Sequence, residues 1–152
     1  MAETAGVIAR PPLLYLAALV TTAGLELLSA FPLPGGNLRV LAGALLMAAG
    51  LRLIQVSFRA FRAYETPVPT WQPTTTLVTH GPYARTRNPI YVGLTLLYVG
   101  LVLLWNSGWG FAVLPLLLGV MHVGVVKREE AYLTRLFGPD YTDYTRRVRR
   151  WM

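Results

Sequence analysis

Apolar residues gather along the chain into four long runs: Pro12 to Phe31, Leu38 to Phe58, Pro89 to Trp105, and Trp109 to Val126. A helix rising 1.5 Å per residue needs about 20 residues to cross a hydrocarbon core, so the first two runs suffice and the last two are slightly short. The pattern predicts an all-α integral membrane fold of about four transmembrane helices, with residues 1–152 as one domain. The prolines and glycines of "FPLPGGN" suit a tight turn closing the first two helices into a hairpin. The second run ends in "LRLIQVSFRAFRAYE", whose Arg52, Arg59 and Arg62 are spaced to snorkel at an interface. The first run contains Glu26 and ends without a small-residue cleavage pattern, so it is expected to be retained and not removed as a secretory signal.

Polar stretches separate and follow these runs. The segment from Glu65 to Asn88 carries four prolines before position 83 and a run of threonines, which predicts an ordered irregular loop, with Trp71, Leu77, Val78 and Tyr83 as apolar anchors. After the fourth run, "VVKREEAYLTRLFG" stays in helical register, with Val126, Leu133 and Phe137 as an apolar stripe and Gly138-Pro139 as a stop. Asp140 then reads as an N-cap, and Tyr141, Tyr144, Val148 and Trp151 fall along one face of a last helix whose other face is basic. Such a helix is expected on the membrane surface or over the mouth of the bundle.

Composition agrees with the pattern: 54% of residues are apolar, 14% are charged and the mean hydropathy is +0.46. The net charge of +7 could suggest nucleic acid, but its placement argues otherwise. Arg10 precedes the first run, and basic residues fill the loop between the second and third and follow the fourth, whereas "PLPGGN" and "NSG" carry none, although Arg39 starts the second run. This positive-inside asymmetry predicts that both termini and the middle loop are cytoplasmic and that the partners are membrane lipids. Cysteine is absent and the two histidines are far apart, which argues against a structural zinc site. Glu26 is expected to pair with Arg39 or to be neutral, in a structural role, because the candidate chemistry lies at the other end.

That chemistry begins in "THGPYARTRNPIYVG". Asn88 followed by Pro89 is a favourable helix start, and the exposed amides and dipole of that start, reinforced by Arg87 and Arg85, make an anion-binding arrangement. His80-Gly81-Pro82 permits a sharp turn, and Tyr83 and Tyr91 add aromatic faces with hydroxyls. At the end of the fourth run, Glu129 and Glu130 could receive an ammonium group while the arginine site receives a carboxylate, as for an amino acid. Charge alone equally allows Arg85 and Arg87 to be helix anchors, with the two glutamates paired to Lys127, Arg128 or Arg135.

The residue order favours the first reading. "TTLVTHGPYARTRNPIYVG" and the later "REEAYLTRLFGPDYTDYTRRVRRW" resemble the isoprenylcysteine carboxyl methyltransferases and the related phospholipid methyltransferases. That family carries a Gly-x-Tyr turn, Arg-His-Pro-x-Tyr-x-Gly at a membrane-helix start, a Glu-Glu pair, Phe-Gly, Tyr-x-x-Tyr and a basic-aromatic end; the resemblance covers Thr75 to Trp151. It implies an S-adenosylmethionine-dependent membrane methyltransferase. Thr75, Thr76, Leu77, Val78, His80 and Tyr83, then Arg87, Asn88, Pro89, Ile90 and Tyr91, and finally Glu129 and Glu130, would contact that cofactor, with Arg87 also positioning the reacting groups. The acceptor would be a lipophilic small molecule or lipid-like molecule drawn from the bilayer and methylated on O, N or S at the cytoplasmic face. A phospholipid-amine N-methyltransferase and a non-enzymatic membrane scaffold are the alternatives. Asn88 and Thr75 stand where the family has histidines, so neither is assigned as a base. Val125 stands where the prenylcysteine enzymes carry a substrate-contacting arginine, so their substrate is not transferred. His122, within the fourth run, is expected to be a hydrogen-bonded interior residue rather than a catalyst, and Tyr132, Tyr141 and Tyr144 to be interfacial anchors.

Overall fold

The structure, a computed structural model, describes residues 5–64 and 74–151. The expected anchor Trp71 lies outside the described residues. Helix α1 spans Pro11–Leu28, α2 Gly36–Ala63, α3 Pro89–Trp105 and α4 Gly108–Met121. The last continues through a π-helical turn, His122–Val126, into α5, Lys127–Phe137; α6 follows over Pro139–Arg147. Proline occupies the first turn of α1, α3 and α6, where its missing amide costs no hydrogen bond. Among the described residues there is no strand, only an isolated bridge between Thr86 and Arg149. Among the described residues three helices are long and apolar enough to cross a membrane: α1, α2 and the continuous Gly108–Phe137 rod; α3, with 17 residues, is a shorter apolar helix. The chain is thus an all-α, multi-pass membrane protein.

Packing departs from the expected α1/α2 hairpin. Although joined by a short turn with Gly35 at φ 113°, α1 packs against α4 and α3, while α2 runs along α3. Glycines decide this pairing. A β-carbon on Gly50 would lie 2.7 Å from the carbonyl oxygen of Gly93, and one on Gly43 would lie 2.9 Å from that of Gly100. Backbone therefore meets backbone at two levels, the close approach that small residues permit between helices in lipid. The free apolar faces of α1 and α2, including Leu16, Val20, Leu41 and Leu45, are exposed and suited to lipid contact.

Between α1 and α3 the core is polar but satisfied. The Tyr15 hydroxyl lies 2.7 Å from Thr95 Oγ1, and the Tyr98 hydroxyl lies 3.2 Å from Thr22 Oγ1 and donates to the Gly110 carbonyl at 3.0 Å. At the end away from Arg87, Glu26 accepts from the Ser107 hydroxyl at 2.5 Å and from the Phe31 amide at 3.1 Å. The Arg39 guanidinium instead donates to the Leu103 carbonyl. The expected Glu26–Arg39 pair is therefore replaced by two separate capping contacts, because the α3–α4 turn brings Ser107 to the carboxylate.

The described ends of the chain meet at the other end of the bundle. The Ile8 amide donates to the Gly124 carbonyl at 3.1 Å, and Arg128 donates to the Gly6 carbonyl at 2.9 Å. A β-carbon on Gly124 would come within 2.2 Å of Ile8, so the π-helical turn seats the segment preceding α1. The C-terminal residues Val148 to Trp151 lie against the start of α3 as an extended strap.

Candidate functional site

A cavity of about 330 Å³ opens at this end, large enough for a small-molecule ligand. Phe58 and Phe61 from α2, Ile90 and Leu94 from α3, and Leu77, Val78 and Leu133 give it an apolar lining; Pro11 and Pro12 bring the start of α1 to its edge. Tyr83, Tyr132, Tyr141 and Tyr144 add aromatic walls, and Arg87, Asn88, Glu129 and Glu130 supply the polar groups.

The loop before α3 is shaped by two neighbours. Tyr83 sits in a single 3-10 turn, Gly81–Ala84, that Gly81 enters at φ 63°. Its ring meets Phe61 edge to face with centroids 5.3 Å apart, and its carbonyl accepts from the Tyr144 hydroxyl at 2.7 Å. Tyr141, Tyr144 and Val148 form a small core with Leu77, Leu133 and Phe137, so α6 covers the mouth of the bundle. Helix α6 begins at Pro139, one residue before Asp140, and no side chain caps it.

The start of α3 is likewise held differently from the capping expectation. Asn88 makes no side-chain cap; its amide accepts no share of the helix end but its backbone N–H donates to Thr86 Oγ1 at 3.2 Å. Its side-chain Nδ2 donates to the Arg150 carbonyl at 2.9 Å, and Thr86 Oγ1 donates to the same carbonyl at 3.1 Å. Between them, the Arg87 amide donates to the Arg149 carbonyl at 2.9 Å. The strap thus fixes residues 86–88 from behind and leaves the Arg87 side chain on the cavity side.

Glu129 and Glu130 are adjacent on α5, and successive helical side chains diverge by about 100°. They accordingly find different partners. Glu129 accepts from the Tyr91 hydroxyl at 2.5 Å. Glu130 accepts both Arg150 Nε and Nη2 at 2.8 Å, and Arg87 Nη1 lies 3.0 Å from its Oε1. The contact to Glu130 raises the Arg150 pKa. Arg87 is largely buried and its side chain also bonds that of Tyr141; among the described residues its Nε has no hydrogen-bond partner. The Tyr83 phenol is pushed well above its ordinary value, first by burial and then by Tyr144 and Glu129; near neutrality it is a hydroxyl and not a phenolate base. Burial also raises Tyr141 and Tyr144.

Most of the sequence-derived candidates converge here: Thr76, Leu77, Val78, Tyr83, Arg87, Asn88, Ile90, Tyr91, Glu129 and Glu130 all line the cavity. Three do not. Thr75 faces a shallow outer groove beside Asp140 and Asp143. His80 is exposed, with Nδ1 2.6 Å from the Tyr64 hydroxyl and its ring stacked on Tyr64. Pro89 is buried in the first turn of α3. His122 lies away from the cavity, its ring centroid 6.4 Å from that of Trp151. Sequence reasoning left Phe58, Phe61 and Arg150 without a part in the site and read Tyr132, Tyr141 and Tyr144 as interfacial anchors. The Tyr-x-x-Tyr spacing was the available signal for the last two, since it puts both rings on one face.

Residues 38–140, more than half of the chain, match the phospholipid methyltransferase family. Over 73 residues, 48% of this chain, the sequence is 39% identical to the cobalt-zinc-cadmium resistance protein CzcN of Cupriavidus metallidurans, covering 33% of that protein. Over 74 residues, 49% of this chain, it is 39% identical to the nickel-cobalt-cadmium resistance protein NccN of Alcaligenes xylosoxydans xylosoxydans, covering 34% of it. The matched segment spans about a third of the length of these relatives. No solved structure matches the chain.

Proposed function

Because the chain belongs to the phospholipid methyltransferase family, we propose that it transfers a methyl group from S-adenosylmethionine to a lipophilic small molecule or lipid-like acceptor at the cytoplasmic membrane face. The observation that carries this reading is the placement of a cationic and an acidic side chain within one largely apolar cavity: Arg87, which also contacts Glu130 and Tyr141, and Glu129, whose hydrogen-bond donor among the described residues is the Tyr91 hydroxyl. An amino-acid end fits between them, carboxylate toward Arg87 and ammonium toward Glu129. Tyr83 offers a neutral hydroxyl donor, and Phe61, Leu77 and Val78 offer apolar surface to the rest of the cofactor.

When bound, S-adenosylmethionine supplies an electrophilic methyl group on a sulfonium with a neutral leaving group. The chain's own residues then have to bind, orient and exclude water. Arg87 and Glu129 fix the two ends of the amino-acid group. Tyr141 and Tyr144 on α6 cover the cavity, limiting water. Phe58, Ile90 and Leu94 form an apolar approach for the acceptor from the side of the helices. No histidine lines the cavity, so the reading favours an acceptor that arrives with its nucleophilic lone pair available, such as a carboxylate or an unprotonated amine.

The family's description favours a second reading, methylation of a phospholipid amine. Calorimetric titration of detergent-solubilised, folded protein with S-adenosylhomocysteine tests the cofactor: saturable binding is expected, and its absence would leave the membrane-scaffold alternative. Radiolabelled methyl groups appearing in extracted phospholipid headgroups would identify the second reading; base-labile label on a lipophilic acid would identify carboxyl methylation.

A further inference from the structure

We infer that Arg150 is a positioning residue for the cofactor site, taking up the charge of Glu130 so that the positive charge of Arg87, which lines the cavity, is left unbalanced there. The inference rests on the methyl-donor reading above. Both Glu130 oxygens are engaged by Arg150, through Nε and Nη2, each at 2.8 Å. Arg87 approaches the same carboxylate with Nη1, 3.0 Å from Oε1, and also bonds the Tyr141 side chain, while its buried Nε has no partner among the described residues. Two cations therefore share one carboxylate, leaving one net positive charge beside the cavity. Without the Arg150 side chain, Arg87 and Glu130 would neutralise each other and could close into a two-point pair, the favoured geometry for arginine and a carboxylate. The cavity would then offer no unbalanced positive charge to a ligand carboxylate.

Arg150 is fitted for this role by its backbone. Its carbonyl accepts from both Thr86 Oγ1 and Asn88 Nδ2, the residues on either side of Arg87. The strap thus holds the start of α3 and aims a guanidinium at Glu130 at once. Arg150 does not line the cavity, so it acts through Arg87 and Glu130 and not on the ligand.

The test compares two probes in titrations of the detergent-solubilised full chain: S-adenosylhomocysteine, which has the amino-acid end, and 5′-methylthioadenosine, which lacks it. Arg150→Ala keeps the carbonyl that holds Thr86 and Asn88, so the strap should remain docked. Its affinity for S-adenosylhomocysteine should fall by about tenfold or more, the scale of one charge-assisted contact, with 5′-methylthioadenosine affinity unchanged. Arg150→Lys should recover part of the loss. The double variant Arg150→Ala/Glu130→Gln should recover most of it, since the competing charge is gone. Unchanged S-adenosylhomocysteine affinity in Arg150→Ala, equal loss for both probes, or no recovery in the double variant would overturn the inference; the recovery decides it even where the fragment binds too weakly to compare. Failure of the wild-type chain to bind S-adenosylhomocysteine would overturn the methyl-donor reading and the inference with it.

Discussion

Substituting Gly50 by alanine should destabilise the protein by driving α2 away from α3. The added β-carbon would sit 2.7 Å from the Gly93 carbonyl oxygen, 3.0 Å from the Leu97 amide nitrogen and 3.1 Å from Leu96 Cβ. All three atoms belong to α3 backbone or to a β-carbon fixed on it, so no rotamer change relieves the contact. The helices must separate by several tenths of an ångström along a seam where Gly43 and Gly100 meet equally closely. Overpacking of this kind costs about 1–3 kcal/mol, and the alanine returns up to about 1 kcal/mol of helix propensity. The expected net loss is about 1–2 kcal/mol. Gly119→Ala is the internal control: it lies in α4 with no atom within 4 Å of the new β-carbon, so it should be neutral or slightly stabilising. Thermal unfolding in detergent, followed by the fraction that remains monodisperse after heating, reads both. Gly50→Ala as stable as wild type, or Gly119→Ala as damaged as Gly50→Ala, would refute the backbone-contact reasoning. Because α3 carries Tyr91 in its first turn and Arg87 lies just ahead of it, a Gly50→Ala protein that remains folded should also bind S-adenosylhomocysteine more weakly.

Other substitutions separate binding from scaffolding. Glu129→Gln should lower S-adenosylhomocysteine affinity by about tenfold or more, as expected for loss of a charged contact, whereas Arg147→Ala, on the exposed side of α6, should leave it unchanged; equal losses in titration would point to general misfolding. Tyr83→Phe should weaken binding by roughly two- to tenfold, the range of a neutral hydrogen bond. Because the Tyr83 pKa is raised well above 10.0, the phenol carries its proton throughout pH 6–9, so wild-type and variant rate profiles should have the same shape there; a limb present only in the wild type would show that Tyr83 titrates. Ser107→Ala should leave cofactor affinity intact yet reduce stability by about 1.5–3 kcal/mol, because it removes a charge-assisted donor from Glu26; detergent unfolding set beside a ligand titration checks both halves.

The membrane-spanning helices were legible because apolar runs and their breaks are local properties. Their pairing was not. The turn "FPLPGGN" suggested that α1 and α2 stay together, but a turn constrains only the ends of its helices. The partner choice lies in Gly43, Gly50, Gly93 and Gly100, each pair separated by seven residues and so repeated on one helix face. That spacing is visible in the sequence, and it would have indicated that α2 and α3 meet through their backbones. The Glu26–Arg39 expectation failed for a related reason. Opposite charges on neighbouring segments are a plausible pair only until the fold supplies closer donors, here Ser107 and the Phe31 amide.

At the site, most of the residues that the motif order pointed to line one cavity, yet that order could not divide their labour. "Glu-Glu" reads as one acidic feature, but adjacent helical positions point about 100° apart, so two neighbouring carboxylates seldom serve the same ligand group. The structure resolves them: Glu129 turns toward Tyr91 and the cavity, while Glu130 is held by Arg150. Asn88 follows the same logic. As a replacement for a titratable residue it was not assigned as a base, and its amide group instead ties the Arg150 carbonyl to the start of α3. The amide keeps its bond to the carbonyl at any pH, because it does not ionise. The strap that Asn88 secures carries the arginine that engages Glu130, so the departure at position 88 and the unbalanced positive charge of Arg87 belong to one arrangement, a helix start braced from behind.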